Sequence, residues 1–196
     1  MILSCQNINK AFHEKQVFKN CSFHIEDHEK AAIVGINGAG KTTLLRIIVG
    51  ELEADSGQVV FGKDTSYGYL AQNAETDSEH TIYDELLEVK KDVILLEEKI
   101  RSCELEMRHV EGDALTALME QYALYTHQFE QADGYSYKSE ITGVLKGLGF
   151  TEEEFSKQAS TLSGGKKTRV ALGKLLLRKP DLIILDEPTT HLDMSS

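Results

Sequence analysis

A glycine-rich stretch followed by a lysine and a threonine carries the clearest chemistry in this sequence. Residues 35–42 are GINGAGKT, with glycines at the first, fourth and sixth positions. Glycines let the backbone turn so that successive N–H groups converge on one anion. Lys41 adds a point charge, and the hydroxyl of Thr42 is a ligand for Mg²⁺. The stretch therefore predicts a site for a nucleotide phosphate.

The flanking segments are those that such a site needs. Apolar residues Ala31–Val34 predict a strand entering the stretch, and an apolar stripe after Gly40 predicts a helix that stops at Gly50. The N-terminus of that helix directs unpaired N–H groups and a positive dipole end at an anion. The alternative is a glycine-rich turn that binds nothing, and the strand–loop–helix context favours the nucleotide site.

A pair of acids follows a second apolar run. Residues 182–187 are LIILDE, which predicts a buried strand ending at Asp186 and Glu187. One carboxylate beside a phosphate loop can hold Mg²⁺, and its neighbour can orient or deprotonate an attacking water. Taken alone, this pattern is more often a strand ending at the surface, so its weight comes from the glycine-rich stretch.

Composition sets the class of protein. The 196 residues are 41% hydrophobic and 27% charged, with 15 Gly and 2 Pro, which excludes a disordered or low-complexity chain. No apolar run approaches the roughly 18 residues of a membrane span, and the N-terminus lacks a secretory pattern. Three cysteines without metal-binding spacing indicate reduced, structural thiols. We expect a soluble, cytoplasmic protein without an integral membrane segment.

Charge limits the partners. The net charge is −11, and residues 1–150 hold 14 Lys and Arg against 25 Asp and Glu, while residues 151–196 hold 7 of each. Coating nucleic acid by bulk electrostatics needs clustered basic residues. Any contact with nucleic acid must therefore be local.

The middle of the chain changes to helical spacing. Apolar residues three or four apart predict one helix from Thr81 to Val110, and a second from Leu115 to Phe129 follows a break at Gly112. Together they predict an antiparallel hairpin at about 82–131. An ordinary self-packing helix pair explains the pattern without any function.

Further elements follow the hairpin. We predict a helix from Ser139 to Leu148, a capping box at 151–154, a helix from Ser163 to about Arg178, and the strand Leu182–Leu185.

Residues 162–193, LSGGKKTRVALGKLLLRKPDLIILDEPTTHLD, resemble a known family. Their order and spacing are similar to the signature sequence, Walker B strand and D-loop of ATP-binding cassette (ABC) ATPases, with residues 35–42 as Walker A. LSGG followed by Lys-Lys-Thr-Arg, and EPTTHLD, look most like the F subfamily, soluble tandem-cassette proteins that act on ribosomes. That subfamily typically has Asn where this chain has Thr190.

The resemblance implies roles for further residues. Phe12 would stack on adenine with Val17 beside it, although both also suit a strand core. Gln72 would reach Mg²⁺ and the attacking water, unless it is a plain loop residue. Ser163 to Gly165 would bind the γ-phosphate of an ATP held by another cassette. Asp193 would lie at the contact between cassettes.

The predicted site residues fall into three groups. The nucleotide would be bound by Phe12, Val17, Asn37, Gly38, Gly40, Lys41, Thr42, Thr43, Ser163, Gly164 and Gly165. Mg²⁺ would be held by Thr42, Gln72 and Asp186, and catalysis would rest on Glu187 and Gln72.

The resemblance implies an α/β fold: a P-loop ABC ATPase core with an antiparallel β subdomain and an inserted helical hairpin. We divide the chain into residues 1–81 with the P-loop and Q-loop, the hairpin at 82–131, and residues 132–196 with the signature and Walker B strand. The family's switch histidine follows the D-loop, and none of the seven histidines, His191 included, occupies that position. We therefore interpret the chain as part of one cassette, nearly inactive alone.

The spacing favours one function over two others. Ser163 lies 91 residues after Gln72, longer than in a typical transporter cassette, and in the F subfamily an arm inserted here contacts the ribosome. We expect ATP hydrolysis by paired cassettes, with Mg²⁺, coupled to ribosome engagement, although residues 84–131 hold 12 acids against 5 basic residues. The alternatives are the ATPase subunit of a membrane transporter and a non-hydrolysing nucleotide-binding module, against which Glu187 argues.

Overall fold

The computed structural model describes residues 1–13, 15–72 and 78–186. These residues form two compact units: residues 1–72 with 179–186 belong to unit 1, and residues 78–178 belong to unit 2. Each unit has its own cluster of buried apolar side chains.

Unit 1 contains two sheets. Strands β1 (Leu3–Phe12), β2 (Lys15–Ile25) and β3 (Ser56–Phe61) form an antiparallel sheet in the order β2–β1–β3. Strands β4 (Tyr67–Leu70) and β5 (Leu182–Leu185) form a parallel pair. Short β-type runs between turn residues predict strands at Ile2–Asn7, Ser22–Ile25, Val59–Phe61, Tyr67–Leu70 and Leu182–Leu185. All five are present, and β1, β2 and β3 are longer than predicted.

The core of unit 1 lies between β1, β5 and helix α1 (Lys41–Ile48). The helix buries four apolar side chains on one face, as its spacing predicts, and these contact buried residues of the strands. The buried members of this cluster are Leu3, Cys5, Ile8, Leu44, Leu45, Ile47, Ile48 and Ile184.

The predicted strand at Ala31–Val34 is wrong. Residues 31–36 have no regular secondary structure, and neither sheet of the described residues includes them. A strand depends on hydrogen bonds to a neighbour, and here the aliphatic side chains remain open, with Val34 91% exposed. A groove of about 670 Å³ separates Ala31–Ile33 from Ile183 and Leu185 on β5.

Unit 2 is helical. Its helices are α2 (Ile82–Leu87), α3 (Lys91–Glu106), α4 (Gly112–Gln131), α5 (Tyr137–Gly147) and α6 (Gly164–Leu177), with short 3₁₀ turns at Glu88–Lys90, Glu152–Glu154 and Ala159–Thr161. Their buried apolar side chains form one cluster, which includes Ile82, Leu86, Phe129, Ile141 and Val170. No helix in the described part of the chain is long and apolar enough to cross a membrane.

The hairpin is confirmed, but its first arm is not one helix. A 3₁₀ turn at Glu88–Lys90 separates α2 from α3, and α3 ends at Glu106 instead of Val110. Ile82 and Leu86 are completely buried in unit 2, whereas α3 buries only Val93 and Cys103. Because of this turn, α2 and α3 can pack against different neighbours. A continuous 3.6-residue spacing of apolar residues does not predict such a break in the helix.

Local caps fix two helical starts, and the capping box at 151–154 is confirmed. The Asp84 backbone N–H donates to Thr81 Oγ1 at 3.1 Å at the start of α2. Thr151 and Glu154 form the reciprocal bonds of a capping box. The cysteines are all unpaired, and burial raises the pKa of the Cys5 thiol to about 11, which suits a structural role.

Candidate nucleotide-binding site

The glycine-rich loop leads directly into α1. Gly38 and Gly40 have positive φ angles of 80° and 97°, a region that costs L side chains energy. A Cβ atom at Gly40 would also collide with Val17 and would lie 2.9 Å from Cζ of Phe18. Glycine is therefore required at position 40 by both backbone conformation and space.

The ammonium of Lys41 is hydrogen-bonded to the backbone of this loop. Its Nζ donates to the carbonyl oxygens of Gly35 at 2.9 Å and Ile36 at 3.3 Å. The first turn of α1 carries no acidic residue. The helix dipole and the lysine therefore act together on any anion at this end of the helix.

Seven of the predicted site residues line one cavity of about 350 Å³ in unit 1. They are Asn37, Gly38, Gly40, Lys41, Thr42, Thr43 and Gln72. The loop and the first turn of α1 supply the first six, while Gln72 comes from the segment after β4. The cavity combines backbone N–H groups, an ammonium and hydroxyls, which is the donor set that a polyphosphate needs.

The carboxylate of Asp186 lies beside this cavity's threonine. Thr42 Oγ1 donates to Asp186 Oδ1 at 3.1 Å, although the two residues are 144 positions apart. Asp186 is 3% exposed, and its Oδ2 is buried without a hydrogen-bond partner in the described part of the chain. A buried carboxylate oxygen without a donor is costly. This arrangement therefore fits a hard divalent cation, with oxygen ligands from Thr42 and Asp186.

Tyr69 is a residue near this site that the sequence did not single out. Burial, followed by the negative charge of Asp186, raises the pKa of its phenol. Its place on β4, opposite Ile184 in the parallel pair, brings it close to the strand end that carries Asp186. The apolar pattern of β4 does not predict that Tyr69 lies near Asp186, because a partially buried Tyr also suits a strand core.

Phe12 and Val17 lie on the hairpin of β1 and β2. Phe12 ends β1 and is 44% exposed, with the Lys10 ammonium 5.5 Å from its ring centre. Val17 is half-buried, and its side chain occupies the space that a Cβ atom at position 40 would need. The loop thus has an apolar neighbour on β2, and Phe12 presents a partly open ring face.

Ser163, Gly164 and Gly165 belong to unit 2, at the start of α6. Ser163 is the N-cap, but its side chain makes no capping bond, and a Cβ at Gly164 would meet nothing within 4 Å. The first turn holds no acid. This helix end is open and suited to an anion.

Four residues assigned from the sequence lie outside the described residues: Glu187, Thr190, His191 and Asp193.

The loop, the helix it opens and the acid at a strand end define a P-loop nucleotide-binding cassette. A profile of the family described as "ABC transporter" matches residues 18–190. The chain belongs to that family.

Curated relatives connect the chain to one branch of the family. It is 42% identical to YdiF of Bacillus subtilis over 196 residues, 34% identical to "ABC transporter F family member 5" of Arabidopsis thaliana over 197, and 35% identical to "Tylosin resistance ATP-binding protein TlrC" of Streptomyces fradiae over 192. These alignments include 97–100% of this chain but 30%, 28% and 35% of the relatives. The chain thus spans about a third of their length, and it is similar over that part to F-family ABC cassettes.

Solved structures show the fold. The ATP-binding subunit of an ABC transporter aligns with a TM-score of 0.66 at 19% identity, with 99% of this chain and 69% of that chain covered. CbiO1 of Clostridium perfringens, part of the transporter complex CbiONQ, gives 0.60 at 22% identity, with 98% and 67% covered. The expected ABC ATPase fold is confirmed.

Proposed function

We propose that this chain binds and hydrolyses ATP with Mg²⁺ as part of a soluble, cytoplasmic protein with two cassettes. The observation that carries the proposal is the cavity in which the loop, Lys41, Thr42 and Gln72 meet, beside the buried Asp186. Loop N–H groups and Lys41 would bind the β- and γ-phosphates. Phe12 and Val17 would contact the adenine.

The cation site would be built from Thr42, Asp186 and Gln72. Mg²⁺, when bound, neutralises charge on the transferring phosphoryl group. The unpartnered Oδ2 of Asp186 supports this assignment, since a cation would remove the cost of burying it. Glu187 would accept a proton from the attacking water, and Gln72 would orient that water.

A second cassette would complete the site. Ser163, Gly164 and Gly165 have an open helix end, so they can donate to the γ-phosphate of a nucleotide held by the other cassette. Phosphoryl transfer depends on positioning and charge stabilisation. The chain alone should therefore turn over far more slowly than about 1 s⁻¹, a typical lower value for phosphoryl-transfer enzymes.

Closure of the paired cassettes would be coupled to ribosome engagement. Support comes from the F-family relatives and from the α3–α4 hairpin between Gln72 and Ser163. The hairpin would be the arm that contacts the ribosome.

The test uses the complete protein with Glu187→Gln, which should bind ATP and stay closed. We expect this variant to sediment with ribosomes when ATP is present, and Lys41→Ala, the nucleotide-free control, to remain in the supernatant. Removing the hairpin from the Glu187→Gln protein should reduce the sedimented fraction. Absence of the Glu187→Gln protein from the ribosome pellet, with recovery in membranes instead, would contradict the proposal and favour the transporter subunit.

A further inference from the structure

A cavity of about 320 Å³ in unit 2 is separate from the residues of the nucleotide site. It lies between α3, α4 and the segment that leads into α5. We call it the hairpin cavity. Four aromatic residues line it: Tyr122, Phe129, Tyr135 and Tyr137.

These rings are arranged to accept a cation. Tyr135 is 77% exposed at the rim and meets Phe129 edge-on, with ring centres 5.1 Å apart. The Lys138 ammonium already lies 5.3 Å from the ring centre of Tyr137. Ring faces attract ammonium and guanidinium groups at such distances. The cavity therefore has the surface that a long basic side chain needs.

Two oxygen acceptors of the hairpin cavity lack a strong donor. Thr126 Oγ1 is buried with no hydrogen-bond partner in the described part of the chain. Glu104 accepts one long bond, 3.4 Å from the hydroxyl of Tyr122, and makes no ion pair with any described residue. Charged donors form the strongest hydrogen bonds to such groups. Glu104 and Thr126 are therefore the lining acceptors that have no charged donor among the described residues.

Two cations, Arg101 and Lys138, also line the hairpin cavity, and both contact Glu97 of the same lining. Arg101 Nη2 lies 2.7 Å and Lys138 Nζ 3.9 Å from Oε1 of Glu97, whose other oxygen accepts from Tyr137 at 2.8 Å. These contacts lower the pKa of Glu97, the bond from Tyr137 most. The carboxylate of Glu97 is thus bound by residues of unit 2, whereas the carboxylate of Glu104 can accept hydrogen bonds from a cation of a partner.

The surrounding charge selects the class of partner. Residues 84–131 hold 12 acidic and 5 basic residues. This balance repels a phosphate backbone and attracts a basic protein segment. A volume near 320 Å³ is at the small end of ligand pockets, so it suits one long side chain.

We infer that the hairpin cavity binds an arginine or lysine side chain of a basic protein partner, between Tyr122 and Tyr135, with Glu104 and Thr126 as acceptors. This names the partner chemistry of the hairpin within the proposed ribosome engagement. Its test needs neither ribosome nor nucleotide, so the two proposals can fail separately.

The probes are an eight-residue peptide of alternating glycine and arginine and the same peptide with citrulline, which keeps the shape without the charge. Fluorescence anisotropy with the full chain should show binding of the arginine peptide, and binding of the citrulline peptide about tenfold weaker or less. Glu104→Gln should weaken the arginine peptide about tenfold, and Tyr135→Ala about fivefold.

Glu120→Gln is the matched control, because it removes the same charge from an exposed position of α4 outside the cavity. It should change affinity less than about twofold. Circular dichroism checks that each variant is folded, and Thr126→Val replaces any variant that is not. Equal losses in Glu104→Gln and Glu120→Gln, equal binding of both peptides, or absence of arginine-peptide binding would overturn the proposal. So would a single-stranded RNA that binds more tightly and depends on Tyr135.

Discussion

The Lys41 ammonium donates hydrogen bonds to the backbone of the glycine-rich loop to which it belongs. Among the described residues it donates to the neutral carbonyl oxygens of Gly35 and Ile36, which a phosphate can replace with charged oxygens. Hydrogen bonds between charged partners are roughly twice as strong as those to neutral groups. These two carbonyl contacts therefore position the lysine on the loop, and each is weaker than a contact with a phosphate oxygen.

Lys41→Ala should reduce the affinity for ATP–Mg²⁺ at least about tenfold, because it removes a charged hydrogen bond worth about 1.5–3 kcal/mol. Isothermal titration calorimetry of the full chain measures this. Lys91→Ala, an exposed lysine of α3 in unit 2, is the control and should bind like the wild type. Equal affinities for the Lys41 and Lys91 variants would remove the loop from the nucleotide site.

Residues whose chemistry depends on their neighbours in the chain could be predicted from the sequence. The loop and the first turn of α1 are consecutive, so their motif located six residues of the cavity without a fold. The bond between Thr42 and Asp186 spans 144 positions, and Tyr69 approaches Asp186 through a parallel pair. No local pattern records such contacts, since they depend on strand register.

At the scale of elements, a network around Glu154 connects the start of α6 with the 3₁₀ turn at Glu152–Glu154. Glu154 Oε1 lies 2.5 Å from Lys166 Nζ, and Glu154 Oε2 accepts from the Thr151 backbone at 3.3 Å. The bond from Lys166 is the largest cause that lowers the pKa of Glu154 to about 2. A lysine in the first turn of a helix opposes the dipole, and Glu154 offsets that charge.

Glu154→Gln should make the stability of the chain less dependent on pH. The folded-state pKa of Glu154 is about 2, below its ordinary value of 4.5, so its contribution is complete above about pH 4.5. It is lost as pH falls toward 2. The free energy of unfolding, from urea titrations between pH 3 and 6, should fall less steeply in the variant. Glu153→Gln, in the same turn, should follow the wild type, and identical slopes in all three would contradict the network.

Two segments differ from the structure that their apolar residues predict. The spacing from Ile82 to Val110 is helical throughout, yet the 3₁₀ turn at Glu88–Lys90 follows from the buried environment of α2. Ala31–Val34 has a strand composition but no pairing partner among the described residues. Propensity describes single segments, whereas these outcomes depend on what lies beside them.

At the scale of the whole molecule, the two apolar clusters belong to different units. The residues of the nucleotide cavity all lie in unit 1, with the core formed by β1, α1 and β5. The hairpin lies in unit 2, where Val93 and Phe129 join the helical core. Nucleotide binding and the hairpin therefore draw on separate sets of packed residues.

Replacing residues 94–128 by a short Gly–Ser linker should leave ATP affinity within about twofold of the wild type, because every residue of the cavity is retained. Val93 and Phe129 are kept so that the core of unit 2 stays closed. Calorimetry measures the affinity, and the linker variant with Lys41→Ala is the negative control. Loss of binding in the linker variant alone would show that the hairpin supports the nucleotide site.

The groove beside β5 has a consequence for the behaviour of the chain in solution. One edge of β5 pairs with β4, and Ile33, which also lines the groove, is exposed, as is its neighbour Val34. A strand edge without a pairing partner is a template on which another chain can add a strand. Repulsion from a net charge of −11 opposes that addition, and salt screens it. Concentrated solutions of the chain should therefore remain clear at low ionic strength and self-associate as salt rises.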